Sequence, residues 1–366
     1  PKYGNMLDSE SGKKLVQIHT LGKGTALILP GNFTNIVLDI KIKRRNFSTS
    51  LSYLPSERVS HRSKHTIREV IQKSLEHLHF VRQLPFLFLS PFPDNNQSIF
   101  NFRIDTDFAS EKEIDSLYQL CLNHNISATW FVEINSAKTR MEQFSCMQNQ
   151  EIALHCYWHK VTNNYSFNSA NIKKGCQVLN EANIPFWGYG APYGEWNFTL
   201  AKSIEEAGFT YSSEFTLDYD NYPFYPYIKD RFSSVLQVPI HPISTSRLKN
   251  SRYTEDDMKN YFIEIIEERI EHNLPLFIYD HPSTGNINVL NWLMQHICQR
   301  KISIYSLKDY AQWWEKRLKA KWTLKFDKDR INIQWQDSAS SFYFFIKRSP
   351  EELAVIKSEK IINLNE

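Results

Sequence analysis

Ser98-Ile99-Phe100-Asn101-Phe102-Arg103-Ile104-Asp105-Thr106-Asp107 reads as a strand that runs out of apolar residues onto two aspartates. From this stretch onward the chain alternates short apolar runs with amphipathic helical patterns. The pattern predicts a helix over 111–123, with Ile114, Leu117, Tyr118, Cys121 and Leu122 on one face, then a strand over 127–134. A third strand, Ile152–His155, runs into Leu154-His155-Cys156-Tyr157-Trp158-His159. Further strands are expected over 186–189, 235–240, 274–279 and 302–305. Helices are expected from Asn168 as a cap, over 200–207 before Gly208, after Thr254, around Leu290–Cys298 and over 307–314. Such βα repetition argues for a parallel sheet flanked by helices, closed as a barrel.

The polar residues that interrupt this pattern fall at the C-terminal ends of strands, where parallel α/β folds carry their sites. His155 and His159 stand four apart, and Asp105 and Asp107 two apart. Two imidazoles and one carboxylate make a three-ligand set that leaves a divalent ion open to water and substrate. A second carboxylate beside it is a candidate general base. The combination points to metal-dependent hydrolysis.

Bulk composition excludes other classes. The 366 residues suffice for two or three domains. Lys+Arg 43 against Asp+Glu 40 gives a net charge of +3, without the concentrated basic face that a nucleic-acid partner needs. The short Lys41-Ile42-Lys43-Arg44-Arg45 run reads as a solvated strand end. No apolar run spans a bilayer, and no signal peptide is visible. The five cysteines show no CxxC spacing and read as free thiols.

The flanks differ from the centre. Residues 1–95 read as an N-terminal α/β segment, with strands over 15–18, 26–29 and 36–42. A helix built on Ile67, Val70, Ile71, Leu75 and Leu78 follows, then a proline-punctuated linker over 84–93. Residues 96–316 form the barrel. Residues 317–366 form a small β appendage, with a turn at Asp327-Lys328-Asp329.

The order of Asp105-Thr106-Asp107, His155-Cys156-Tyr157-Trp158-His159, Gly190-Ala191-Pro192-Tyr193-Gly194 and Tyr279-Asp280-His281 resembles that of the polysaccharide deacetylase family, the NodB-type carbohydrate esterases. Asn125-Ile126-Ser127-Ala128-Thr129-Trp130-Phe131 is similar to that family's second strand. The resemblance covers roughly Phe100 to Trp314 and implies a distorted (β/α) barrel. It implies hydrolysis of N- or O-linked acetyl groups on a cell-surface polysaccharide or exopolysaccharide, with an amino sugar as the acylated unit and an extracytoplasmic or cell-envelope location. Carried over residue by residue, it makes Asp107, His155 and His159 the ligands of a divalent metal, Zn2+ before Co2+ or Ni2+. Asp105 becomes the base, His281 the acid, and Pro192 and Tyr193 the oxyanion-side segment. Trp187 is a candidate sugar platform, and His241 a candidate cleft residue.

Three positions depart from the family pattern. Thr106 separates aspartates that are usually adjacent, so Asp105 and Asp107 could exchange roles. Cys156 replaces a Ser or Thr that usually braces the histidine loop. Gly190 stands where an arginine usually orients the base, and Arg103 is a candidate substitute from the first strand. These departures keep a second expectation open, a non-catalytic carbohydrate-binding or scaffold protein with the same fold. Oligomeric state has no signal in the sequence.

Overall fold

The computed structural model describes residues 16–29, 33–51, 53–327, 330–335, 342–357 and 361–363. The described residues form two compact units, one drawn from those within 1–39, 63–95 and 313–366, the other from those within 40–62 and 96–312.

The second unit is a distorted (β/α) barrel. Its strands are β1 (Ile99–Asp105), β2 (Thr129–Glu133), β3 (Glu151–Cys156), β4 (Gly188–Tyr189), β5 (Tyr211–Ser212), β6 (Leu236–Gln237), β7 (Leu276–Asp280) and β8 (Ser303–Ile304). Their order is β6-β5-β4-β3-β2-β1-β7, with β8 also on β1, and every pairing is parallel. A main-chain bond from His241 N to Phe277 O (2.8 Å) ties the segment after β6 to β7. β1 is buried along its whole length, as expected of a strand covered on both faces. Phe100, Phe102 and Ile104 join the core under the helices, together with Trp130, Val132, Ile152 and Leu154. Alternation turns Asn101, Arg103 and Asp105 to the barrel interior.

The helices lie close to where the apolar periodicity put them. Glu111–Asn123 begins with a capping box of Ser110 and Glu113, and Glu255–Glu271 with one of Thr254 and Asp257. One helix starts earlier than its expected cap: it spans Tyr165–Glu181 and is capped by Asn164, not Asn168. Asn168 is instead buried and hydrogen-bonds Thr162 and Thr199. The second unit also contains a hairpin of Ile42–Asn46 and Ser56–Ser60. It meets the barrel through Ser60 N to Phe215 O (3.3 Å), an Arg58–Glu195 ion pair (3.3 Å) and an Arg247–Glu57 ion pair. Lys43 and Arg44 on its first strand, and Lys41 just before it, are exposed.

The first unit carries the hairpin Gln17–Leu21/Gly24–Ile28 and the helix Lys64–Phe80. It also holds two small antiparallel sheets. Two expectations are corrected here. The apolar run from Ile36 contributes to a helix, Phe33–Val37, rather than to a strand; so short a run has no periodicity to separate the two. The expected linker over 84–93 contains a strand, Phe86–Leu89, which pairs with Tyr343–Lys347. Its unbroken Phe-Leu-Phe-Leu run gains ladder partners that the neighbouring prolines hide in the sequence. Leu15, Lys328 and Asp329, on which a strand start and a turn were expected, lie outside the described residues. Among the described residues no helix is long and apolar enough to cross a membrane.

Candidate metal centre and active site

β1 delivers Asp105 at its last position and Asp107 two residues beyond. Thr106 between them is stitched to β2: its N–H donates to Phe131 O (3.0 Å), and its Oγ1 accepts from Glu133 N (2.9 Å). A period of two keeps both carboxylates on the same side of the chain, and the structure gives them different neighbours. Asp107 faces three imidazoles. Its Oδ1 lies 3.0 Å from His155 Nε2, and its Oδ2 lies 3.2 Å from His159 Nε2 and 3.4 Å from His281 Nε2. Asp105 faces Arg103, which grips it through Nε to Oδ1 (2.7 Å) and Nη2 to Oδ2 (2.8 Å).

Asp107, His155 and His159 form a group whose donor atoms lie within 4.8 Å of one another. Asp107 Oδ1, His155 Nε2 and His159 Nε2 are buried without hydrogen-bond partners, which is rare for buried polar atoms and asks for an explanation. Ligands about 2.0–2.1 Å from a tetrahedral ion stand roughly 3.3 Å apart, close to the observed 3.0 and 3.2 Å. His155 Nδ1 donates to Gly190 O (2.6 Å), which leaves Nε2 as the lone-pair nitrogen facing Asp107. The residues present therefore fit a divalent ion.

Electrostatics agree. Burial alone would raise the Asp107 carboxyl, but His155, His159 and His281 hold it well below the usual carboxylate range. Burial pulls the His155 and His281 imidazoles down, and the carboxylates of Asp107 and Asp105 override it and push both up. Arg103 is fully buried, and Asp105 outweighs the cost of burying its charge.

The environment of Arg103 explains the departure at Gly190. The guanidinium stacks over Phe131 (4.5 Å to the ring centre) and donates from Nη1 to Ser213 O. A Cβ on Gly190 would sit 2.9 Å from Arg103 Nη2 and 2.7 Å from Phe131 Cδ1. The cationic partner of Asp105 thus stands on β1, and position 190 must be small to admit it.

The histidine loop has a different brace from the one Cys156 lacks. Asn171, buried in the Tyr165–Glu181 helix, accepts from Tyr157 N (2.9 Å) and Trp158 N (2.7 Å) and donates to Trp158 O (2.9 Å) and Lys160 O (3.0 Å). All four of its hydrogen-bonding sites are used. The sequence reading missed Asn171; its signal was an amide beside Ile172 on the inward face of a helix. Glu214 was also missed. Its Oε1 accepts from Ala191 N (3.2 Å), its Oε2 has no partner, and burial lifts its carboxyl to about 7.

The other expected residues are placed as follows. Pro192 and Tyr193 form a tight turn, Tyr193 with φ 59°, and Gly194 is required there because a Cβ would meet Phe215 at 2.4 Å. His281 follows β7, its N–H held by the buried Asp280 carboxylate (2.9 Å). Trp187 is not brought to the metal group: it precedes β4, at the opposite end of the strands, with Lys308 Nζ 4.5 Å over its ring. Tyr189 and Trp196, its aromatic neighbours in the sequence, are buried in core clusters. His241 is buried between Asp220 (3.0 Å) and the Tyr261 hydroxyl (2.9 Å).

Solved structures share this architecture. A protein provisionally assigned as a polysaccharide deacetylase from Mycobacterium smegmatis aligns with a TM-score of 0.51 at 16% identity, over 65% of this chain and 98% of that one. A similarly assigned protein from Pseudomonas aeruginosa PAO1 aligns with a TM-score of 0.51 at 14% identity, over 62% and 94%. No family model and no curated protein sequence matches the chain. The fold is therefore that of the NodB-type polysaccharide deacetylases, and the group it carries at the strand ends can hold a metal.

Proposed function

We propose that this chain is a metal-dependent carbohydrate deacetylase that removes N- or O-linked acetyl groups from a cell-surface polysaccharide or exopolysaccharide. The observation that carries the reading is the convergence of Asp107, His155 and His159, with Asp105 and His281 beside them, at the C-terminal ends of the strands of this fold. Asp107, His155 and His159 would hold the ion, and their His2Asp set suits Zn2+ first and Co2+ or Ni2+ next. When bound, such an ion supplies Lewis acidity toward an acyl carbonyl and lowers the pKa of water.

The chain's own groups do the rest. Asp105 takes the proton of the attacking water, and the two-point grip of Arg103 fixes its carboxylate plane. His281, whose proton affinity the aspartates raise, returns a proton to the departing amine or alkoxide. The Tyr193 N–H and the Pro192 turn serve the oxyanion side.

A non-catalytic scaffold reading would rest on Gly190 and Cys156. Arg103 and Asn171 supply the interactions those positions lack, which supports the enzyme reading. The test is acetate release from acetylated oligosaccharides by the metal-loaded full chain. Asp107→Ala and His155→Ala should each abolish both bound metal and release. Full activity in a metal-free double variant sinks the proposal.

A further inference from the structure

Phe108 follows Asp107 directly, and the residue is 64% exposed. Its backbone is left-handed, with φ 55°. Tyr193 repeats the combination, 60% exposed with φ 59°. The other non-glycine residues with positive φ among the described residues are Asn, Asp or long polar side chains, so these two are the aromatic ones. Both rings pack edge-on against the same imidazole. Phe108 lies 5.2 Å from the His159 ring at 64°, and Tyr193 lies 4.8 Å from it at 72°.

Each position carries two costs. A bulky side chain in the left-handed region is strained, and a large exposed ring gives up its burial. Glycine would remove both at either position. Strain of this kind persists where the surrounding structure enforces it, and it gathers at binding and catalytic sites. Two such residues meeting over one member of the candidate metal group are hard to explain as packing, because His159 is a poor hydrophobic anchor. A broad apolar ring face beside polar groups does match one chemistry well: a pyranose, whose C–H face is apolar and whose hydroxyl edge is polar.

We propose that Phe108 and Tyr193 form a wall against which the C–H face of the acylated sugar ring rests, setting its acyl group over Asp107, His155 and His159. The inference rests on the deacetylase reading and adds the residues that make the site select a sugar over a simple acyl compound. Phe108 is the decisive member, since no motif assigned it a role and its position beside Asp107 favours glycine on backbone grounds.

The test compares kcat/KM of the metal-loaded full chain on an acetylated oligosaccharide and on phenyl acetate, which has no sugar ring. Phe108→Gly should lower the oligosaccharide-to-phenyl-acetate ratio about tenfold, the worth of one aromatic contact, mainly through KM. Phe108→Tyr should keep the ratio. The Tm of Phe108→Gly should not fall, which separates lost binding from lost folding. An unchanged ratio in Phe108→Gly overturns the proposal. If the wild-type chain hydrolyses neither compound, the deacetylase reading has failed. Calorimetric binding of the same oligosaccharide then decides the wall alone: about tenfold weaker binding by Phe108→Gly supports it, and equal or absent binding overturns it.

Discussion

Gly190→Ala is the sharpest perturbation of the candidate site, because it adds one methyl group and no chemistry. The new Cβ would lie 2.9 Å from Arg103 Nη2, 2.7 Å from Phe131 Cδ1 and 3.0 Å from Phe131 Cε1. Comfortable contacts begin near 3.5 Å, so the guanidinium must retreat by about 0.5 Å or the ring must tilt. Both are buried, so neither moves freely. Overpacking of this kind costs about 1–3 kcal/mol. For a unit of about 240 residues that lowers Tm by roughly 2–12 °C. Retreat also loosens the 2.8 Å bond from Nη2 to Asp105. Misplacing a proton-transfer group on this scale lowers kcat/KM by about tenfold to a hundredfold. Thermal unfolding and acetate release should therefore fall together. Adding Phe131→Leu frees the ring side of the clash but not the guanidinium side. The double variant, set against Phe131→Leu alone, should regain part of the Tm and little of the activity. Wild-type Tm and wild-type kcat/KM in Gly190→Ala would refute the claim that this space belongs to Arg103.

The remaining predictions address the ion, the loop and the pH response. Excess Zn2+ at about 100 times its Kd should stabilise the wild-type chain by about 2.7 kcal/mol; Asp107→Ala should lose that gain, and an equal Tm rise in both would place the ion elsewhere. Asn171→Ala removes four hydrogen bonds from the loop that carries His159, at a cost of about 2–4 kcal/mol. It should weaken metal binding although every ligand remains, and unaltered affinity by calorimetric titration would count against the brace. Burial lifts the Glu214 carboxyl from 4.5 to about 7, so the native state keeps a proton that the unfolded chain releases. Its contribution is present below about 4.5 and lost as pH rises through about 7, worth up to about 3 kcal/mol. In urea unfolding, Glu214→Gln should gain on the wild type across that window; a pH-independent difference would refute the assignment.

The barrel was legible because its strands and helices carry strong periodicity, and because Asp105, Asp107, His155, His159 and His281 each sit at a strand end. Local sequence also shows the cap at Thr254, which the structure completes as a capping box with Asp257. What stayed hidden depends on contacts between distant positions. Asn171 reaches a loop in front of its own helix, and Arg103 shares a space with a glycine three strands away in the sheet. Phe108 gave no signal because left-handed backbone leaves no mark on composition. Trp187 failed in the opposite sense: proximity in sequence to Pro192 and Tyr193 suggested one surface, but β4 runs between them and separates the two ends of the barrel. The helix at Phe33–Val37 and the strand at Phe86–Leu89 were missed because runs this short read alike until their partners are known.

The pairing of Arg103 with Gly190 bears on how such chains are recognised by comparison. A signature written as a string of neighbouring letters scores position 190 as damaged and position 103 as incidental. In space the two positions are one compartment, filled from either wall. Arginine at 190 with Arg103 kept would overfill it, and glycine at 190 with Arg103 lost would leave Asp105 without its cation. Neither single change keeps both the space and the charge, so an arginine at 190 and the arginine at 103 exclude one another.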